Sequence, residues 1–194
     1  MLHLAIENGD YDMVEFLLQD ERCDVDIVNE IGQSPLVTAV IMADLEMVKL
    51  LVKAGADLDL QDISGKTALL HALGDCNVDI AEYLINHGCD VNLVDSLGQS
   101  ALYSVINALD FKCIKIVKKL LKAGYTLEKD KVWMEEEGLD VQMTHSTNII
   151  TKIFRKIAGK LHKLKVHQIT AATLNSPQQT GMFPMQQRIL KIYG

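Results

Sequence analysis

One short segment recurs three times in this sequence at intervals of 33 residues. Each copy opens on a glycine, Gly32, Gly65 or Gly98, followed by a polar residue, then Ser or Thr, then a Leu two positions later. A second glycine follows 23 residues after the first two, at Gly55 and Gly88. A fixed period of this length is typical of a solenoid, in which each unit buries its apolar surface by stacking on its neighbours. The sequence therefore predicts an elongated repeat array.

The residues after each of these glycines resemble the ankyrin repeat, whose first helix opens with a Thr-Pro-Leu-His-x-Ala signature. The corresponding segments here are Ser34-Pro35-Leu36-Val37-Thr38-Ala39, Thr67-Ala68-Leu69-Leu70-His71-Ala72 and Ser100-Ala101-Leu102-Tyr103-Ser104-Val105. The resemblance implies an all-α ankyrin-repeat solenoid of helix-turn-helix pairs joined by short β-hairpin-like loops. An apolar content of 48% with only 5% aromatic residues suits closely packed short helices.

The repeat register predicts about four units followed by a C-terminal extension. The array is expected to cover residues 1–130, and the extension is expected to contain an acidic connection, a basic amphipathic helix and a flexible tail. The repeats are placed at 1–31, 32–64, 65–97 and 98–130, and the three parts of the extension at 131–145, 146–166 and 167–194.

Two units depart from the common pattern. Residues 2–5, Leu-His-Leu-Ala, match the middle of the signature, so the hairpin that should precede them is absent. We therefore expect an N-terminal truncation or an incomplete gene model. In the fourth unit, Gly98 and Gly124 are 26 residues apart instead of 23. Because insertions in solenoids collect in loops, the extra residues are expected near 110–113, between the two helices.

Charge is divided sharply along the chain. All 26 acidic residues lie at or before Asp140, together with 11 of the 19 basic ones, so residues 1–140 carry −15 and residues 141–194 carry +8. Such asymmetry indicates an interaction tail or an internal electrostatic contact. An acidic array is a poor match for a phosphate backbone, which argues against nucleic-acid binding by the repeats.

Residues 146–166 combine apolar residues at helical spacing with a basic remaining surface. The basic residues are Lys152, Arg155, Lys156, Lys160, Lys163 and Lys165. One interpretation is a cap that folds over the last repeat and neutralises acidic charge. The others are a helix that lies on an anionic membrane or enters a calmodulin-like groove, a nucleic-acid-binding segment, or a degenerate form of the adaptor box that follows repeats in ubiquitin-ligase substrate receptors.

No catalytic, metal or cofactor site is predicted. His3 and His71 lie at or beside the signature histidine and are expected to be structural, and the other histidines are too scattered for a zinc site. Asn92 is expected to hold a hairpin turn through its side chain, although the resemblance also implies hydroxylation of this asparagine. The four cysteines show neither metal-binding nor disulfide spacing, so we expect reduced thiols and a cytoplasmic location, with the nucleus as an alternative.

The resemblance implies a concave partner-binding surface made of hairpin tips and the exposed side of the first helix of each repeat. Its residues would be Glu30, Ile31, Gln33, Met42, Ile63, Ser64, Lys66, Asp75, Ser96, Leu97, Gln99 and Asn107. The apolar members of this set favour a protein partner. The chain is thus expected to be a monomeric, non-enzymatic protein-interaction module. The alternative is an adaptor whose basic helix selects a membrane, a calmodulin-like protein or a nucleic acid while the repeats hold cargo.

Overall fold

The structure, a computed structural model, describes residues 1–108, 114–131 and 134. All of them belong to the first of two structural units, Met1–Thr144. Every regular element within this described part is helical, which confirms the all-α prediction. The elements are α1 (Leu2–Glu7), α2 (Tyr11–Leu18), α3 (Pro35–Ile41), α4 (Leu45–Lys53), α5 (Ala68–Gly74), α6 (Val78–Asn86), α7 (Ala101–Asn107), α8 (Ile114–Lys122) and a 3-10 helix (Leu127–Asp130).

The helices form pairs, and the pairs stack in two layers. Each odd-numbered helix packs on the even-numbered helix that follows it, which gives four helix-turn-helix units. The inner layer runs from α1 through α3 and α5 to α7, and in the outer layer α4 packs on α6 and α6 on α8. Within the described residues, the main contacts between helices of different units therefore join neighbouring units, as expected for a solenoid.

Side-chain caps set the helix starts at the residues that the repeat register singles out. The hydroxyls of Ser34, Thr67 and Ser100 accept hydrogen bonds from backbone N–H groups three residues later, at 3.3, 3.3 and 3.1 Å. Pro35 occupies the first turn of α3, where its missing N–H costs no hydrogen bond. Asp44 caps α4 in the same way, accepting from the Met47 N–H at 3.0 Å.

In the first three repeats, the turn between the two helices contains a residue with a left-handed backbone. Gly9, Ala43 and Cys76 occupy this position in the first three repeats, with φ values of 65°, 56° and 57°. Only glycine adopts this conformation without strain, so Ala43 and Cys76 are held there by the packing of the two helices.

Cys76 also corrects one expectation from the sequence. Cys23 and Cys89 are free thiols, whereas Cys76 is disulfide-bonded. The prediction of four reduced cysteines is therefore wrong for Cys76. Spacing along the chain could not reveal this, because disulfide formation depends on which side chains meet in the fold.

The core is built from aliphatic side chains between the two layers, and the first repeat is less completely covered than the others. Met13 is 40% exposed, although Met47, Ile80 and Ile116 are all buried at the corresponding position. The largest fully buried side chains are Val14, Leu36, Met47, Leu51, Leu69, Leu73, Leu84, Leu102, Ile116, Leu120 and Met134.

The fourth repeat is longer than the others between its two helices. Three residues separate α3 from α4 and α5 from α6, whereas six separate α7 from α8. The extra residues thus fall in the predicted connection, although 110–113 themselves lie outside the described residues. After α8 the chain enters the 3-10 helix, whereas the second and third repeats have only bends, turns and irregular backbone at the corresponding positions.

A buried polar cluster joins this 3-10 helix to the start of α7. The Asp130 carboxylate, which is fully buried, accepts hydrogen bonds from the hydroxyls of Ser100 and Tyr125. The Tyr125 hydroxyl also accepts from the Leu102 N–H at 3.4 Å. Burial and the neighbouring Asp130 carboxylate raise the pKa of Tyr125 well above its ordinary value. These hydrogen bonds attach the 3-10 helix to the N-cap of α7.

Candidate functional site

The loops that join consecutive repeats share one conformation, set by a carboxylate or amide at a fixed position. Asn29, Asp62 and Asp95 are 33 residues apart, and the side chain of each accepts hydrogen bonds from the N–H groups two and four residues later. These bonds measure 3.1 and 2.9 Å in the first loop, 2.9 and 3.0 Å in the second, and 3.0 and 2.8 Å in the third. The three loops are therefore superimposable Asx-type turns.

The first two hairpins each support the tip of the next. The Ile63 N–H donates to the Ile31 carbonyl at 3.3 Å, and the Ser96 N–H donates to the Ser64 carbonyl at 2.9 Å. A Cβ atom on Gly32 would lie 2.9 Å from the Ile63 nitrogen. Glycine is thus needed for this close approach as well as for its positive φ.

Each of these three hairpins also exposes one apolar side chain, two residues after the turn acceptor in the first and third hairpins and one residue after it in the second. Ile31, Ile63 and Leu97, which we call the apolar tip row, are 49%, 73% and 81% exposed. Each belongs to a hairpin bonded to its neighbour, so the row runs across three consecutive loops. Exposed apolar side chains grouped in this way are typical of interaction surfaces.

The remaining residues of the predicted surface fall into two separate groups. Near the tip row, Glu30, Ser64 and Ser96 are exposed, whereas Gln33, Lys66 and Gln99 are half-buried. Met42 and Asp75 are exposed directly after α3 and α5, about 10 Å from the hairpins by the length of a seven-residue helix. Asn107 ends α7 one position before the equivalent of these two, and its side chain lies outside the described residues.

The histidines predicted to be structural form hydrogen bonds within the fold. The Nε2 of His71 lies 2.8 Å from Oδ2 of Asp62, which ties α5 to its hairpin. Burial opposes ionisation of Asp62, but hydrogen bonds from Ser64, His71 and the Lys66 N–H outweigh it and lower its pKa. His3 lies 3.0 Å from the Thr38 hydroxyl and 2.8 Å from the Ile27 carbonyl.

A second series of side chains joins the repeats at the base of the hairpins. Asp26, Asp59 and Asn92 each accept a hydrogen bond from a backbone N–H of the following repeat, at 2.9, 2.8 and 2.8 Å. The donor lies 31 residues ahead in the first two cases and 34 in the third. Asn92 therefore connects the third repeat to Thr126 of the fourth, beyond its own hairpin. The sequence analysis did not predict this series, although its acceptors recur at the 33-residue period of the repeats.

Two classes of site are not found in the described part of the chain. Residues 1–108, 114–131 and 134 contain no cluster of three or more side chains able to hold a metal ion. The helices in these same ranges include none long and apolar enough to span a bilayer.

The stacked helix pairs and their projecting hairpins define a helical-repeat solenoid. A family model of ankyrin repeats, with three copies, matches residues 2–95 and 43–131, which together make up about two thirds of the chain. The chain belongs to the ankyrin-repeat family. Ankyrin repeats are generally protein-interaction modules without catalytic activity. A comparison with curated proteins finds no match to this chain.

Proposed function

We propose that this chain binds a protein partner through the apolar tip row. The observation that carries the proposal is the exposure of Ile31, Ile63 and Leu97 on hairpins held side by side by backbone hydrogen bonds. Burying one such side chain in an interface contributes about 1.5–3 kcal/mol before the costs of association. Ile63 lies at the centre of the row, where binding energy is usually concentrated.

The inner helices offer much less surface for binding than the tips do. Every residue of α3 from Pro35 to Val40 is buried, and α5 exposes only its last residue, Gly74, with His71 half-buried. Met42 and Asp75 are therefore expected to make peripheral contacts. A partner that follows the hairpins along the array would contact all three members of the tip row.

Charged substitutions in the tip row test this proposal. The wild-type 194-residue chain and the variants Ile63→Asp and Leu97→Asp are used to capture proteins, and the affinity of each protein captured by wild type is then measured. Phe16→Asp is the matched control, since Phe16 is 70% exposed on α2, away from the hairpins. We expect the tip variants to weaken binding at least tenfold and the control to leave it unchanged. Wild-type affinity in both tip variants, with unchanged thermal unfolding, would exclude this surface.

The proposal includes a non-catalytic role and a cytoplasmic or nuclear location. The generally non-catalytic character of the family supports the first. The free thiols of Cys23 and Cys89 support the second, whereas the disulfide at Cys76 argues against it. Sedimentation velocity of the purified chain tests the expected monomer, and imaging of a tagged chain tests its location.

The adaptor role is the second candidate, and the charge reversal after Asp140 is the observation that favours it. The basic segment 146–166 lies outside the described residues, so its helix and its partners remain predictions from the sequence. Sedimentation of the full chain with anionic and with neutral vesicles tests the membrane form of this role. Equal binding to both, or binding to neither, would contradict it.

A further inference from the structure

The ends of the inner helices α1, α3 and α5 expose an apolar pair of side chains. The residues that directly follow these helices are Asn8, Met42 and Asp75, and all three are exposed. Met42 is 53% exposed, and Ile41, the last residue of α3, is 42% exposed. Because Asn8 and Asp75 occupy the position of Met42 in the neighbouring repeats, the fold itself does not require an apolar side chain there.

Carboxylates surround this apolar pair. The turns between the helices of the first three repeats, residues 7–12, 41–46 and 74–79, contain seven acidic residues and no lysine or arginine. We call these three segments the turn surface. All of its acidic residues except Asp44 are exposed. They are Glu7, Asp10, Asp12, Asp44, Glu46, Asp75 and Asp79.

Helix stability accounts for five of these carboxylates but not for Glu7 and Asp75. The other five cap the outer helices or lie in their first turns, where negative charge is favourable. Glu7 is the last residue of α1, and Asp75 directly follows α5. Negative charge at the C-terminal end of a helix is unfavourable. These two carboxylates therefore lie where a positively charged group would be stabilising.

Glu7 and Asp75 lie on opposite sides of the apolar pair. Helix α1 packs on α3, and α3 packs on α5. Since packed helices are about 8–10 Å apart, the end of α3 is separated by about that distance from each of the two carboxylate-bearing helix ends. The turn surface lies about 10 Å from the tip row, by the length of an inner helix, so it can bind independently of that row.

We propose that the turn surface binds a segment of a protein partner in which an apolar residue lies between two basic residues. The apolar side chain packs on Ile41 and Met42. A lysine or arginine on either side pairs with Glu7 or Asp75.

Charge complementarity identifies this partner. Residues 1–108 contain 19 acidic and four basic residues, which gives them a net charge of −15. Such a surface repels an anionic membrane, a nucleic acid and the same surface of a second copy of the chain. A small polyamine could pair with the carboxylates, but it would leave the apolar pair exposed. A basic segment with an apolar residue at its centre satisfies both parts of the surface.

The experiment selects linear peptides from a displayed random library against the wild-type 194-residue chain. Dissociation constants of the selected peptides are then measured with wild type, Met42→Asn, Glu7→Gln and Asp75→Asn. Met42→Asn is expected to fold, because Asn8 occupies the same position in the first repeat. Asp90→Asn is the matched control, since it also removes one exposed carboxylate but lies in the loop after α6.

We expect the selected peptides to carry lysine or arginine on both sides of an apolar residue. Met42→Asn should weaken their binding roughly tenfold, because it removes the apolar contact. Glu7→Gln and Asp75→Asn should each weaken it roughly three- to fivefold at low salt and less at high salt. The control Asp90→Asn should leave it unchanged.

Thermal unfolding separates lost contacts from lost structure. Glu7→Gln and Asp75→Asn should raise the midpoint of unfolding slightly, because each removes negative charge from the end of a helix. Weaker binding by a chain of higher stability cannot result from unfolding.

Selected peptides without basic residues, or peptides that bind all three variants as tightly as wild type, would overturn the turn surface. If those peptides lose binding with Ile63→Asp, the tip row stands and the turn surface does not. Oligolysine that binds as tightly as the selected peptides, with no effect of Met42→Asn, would also overturn the proposal, because charge alone would then suffice. Failure to select any peptide would overturn it as well.

Discussion

Alanine substitution of the three hairpin glycines should destabilise the fold to very different degrees. Gly32, Gly65 and Gly98 have φ values of 73°, 74° and 73°, so alanine pays the same left-handed backbone strain at each site, about 1–2 kcal/mol. Alanine also reduces the entropy of the unfolded chain equally at the three sites. Any difference between the variants must therefore come from the surroundings of the new methyl group.

Those surroundings predict a graded series. At Gly65 the methyl would lie 2.5 Å from the Ser96 nitrogen and 3.0 Å from the Asp95 carbonyl carbon, both backbone atoms. The third hairpin must then move and weaken the bond from the Ser96 N–H to the Ser64 carbonyl, which adds about 1–3 kcal/mol of overpacking. At Gly32 the nearest contact is 2.9 Å, and at Gly98 no atom of the described residues lies within 4 Å. We expect Gly65→Ala to be the least stable and Gly98→Ala to lose only the strain energy.

Urea unfolding of the 194-residue chain, followed by far-UV circular dichroism, measures these differences. The free energies of unfolding should fall in the order Gly98→Ala, Gly32→Ala, Gly65→Ala, with m-values unchanged if the transitions remain two-state. Equal losses at Gly65 and Gly98 would refute the reasoning, because the contact between hairpins would then contribute nothing.

Three further predictions follow from described contacts. Ala43→Gly should stabilise the chain by about 0.5–1 kcal/mol in thermal unfolding, because the left-handed strain that it relieves exceeds the free-energy cost of the extra entropy that glycine gives the unfolded chain. A loss of stability would contradict the backbone strain inferred from the φ of 56° at Ala43. Burial and the carboxylates of Asp59 and Asp90 raise the pKa of Cys89 to about 12. Iodoacetamide at pH 8 should therefore leave Cys89 unmodified in the folded chain and alkylate it in urea, as measured by mass spectrometry. Equal labelling in both states would contradict the burial of Cys89. Tyr125→Phe should lower the free energy of unfolding by about 1–3 kcal/mol, because Asp130 loses a buried donor. The raised pKa of Tyr125 has a separate effect: the unfolded chain releases this proton near pH 10 while the folded chain retains it, so wild-type stability should fall as pH rises above about 10 and this slope should diminish in Tyr125→Phe.

The period of the sequence is sufficient to predict the repeat family, the helix starts and the positions of the loop tips. Ser34 and Pro35 mark a helix start by local chemistry, and such local signals survive in any tertiary context. The 33-residue spacing of Asn29, Asp62 and Asp95 also indicates that the loops share one shape. These features are predictable because each depends on residues close together in the chain.

Features that depend on distant residues could not be predicted in this way. Met13 has the same local pattern as Met47, and only the stacking of repeats determines that one is exposed and the other buried. The hydrogen bond between Ser100 and Asp130 joins residues 30 positions apart and requires the 3-10 helix. No sequence motif predicts that helix.

The bonds at the base of the hairpins also have a direction along the chain. Asp26, Asp59 and Asn92 supply the acceptors, and the donor N–H in every case belongs to the repeat that follows. During synthesis the ribosome therefore releases each acceptor before its donor, and a newly emerged repeat can dock on a completed one without waiting for residues still to be translated. The array can therefore assemble in the order in which it is made.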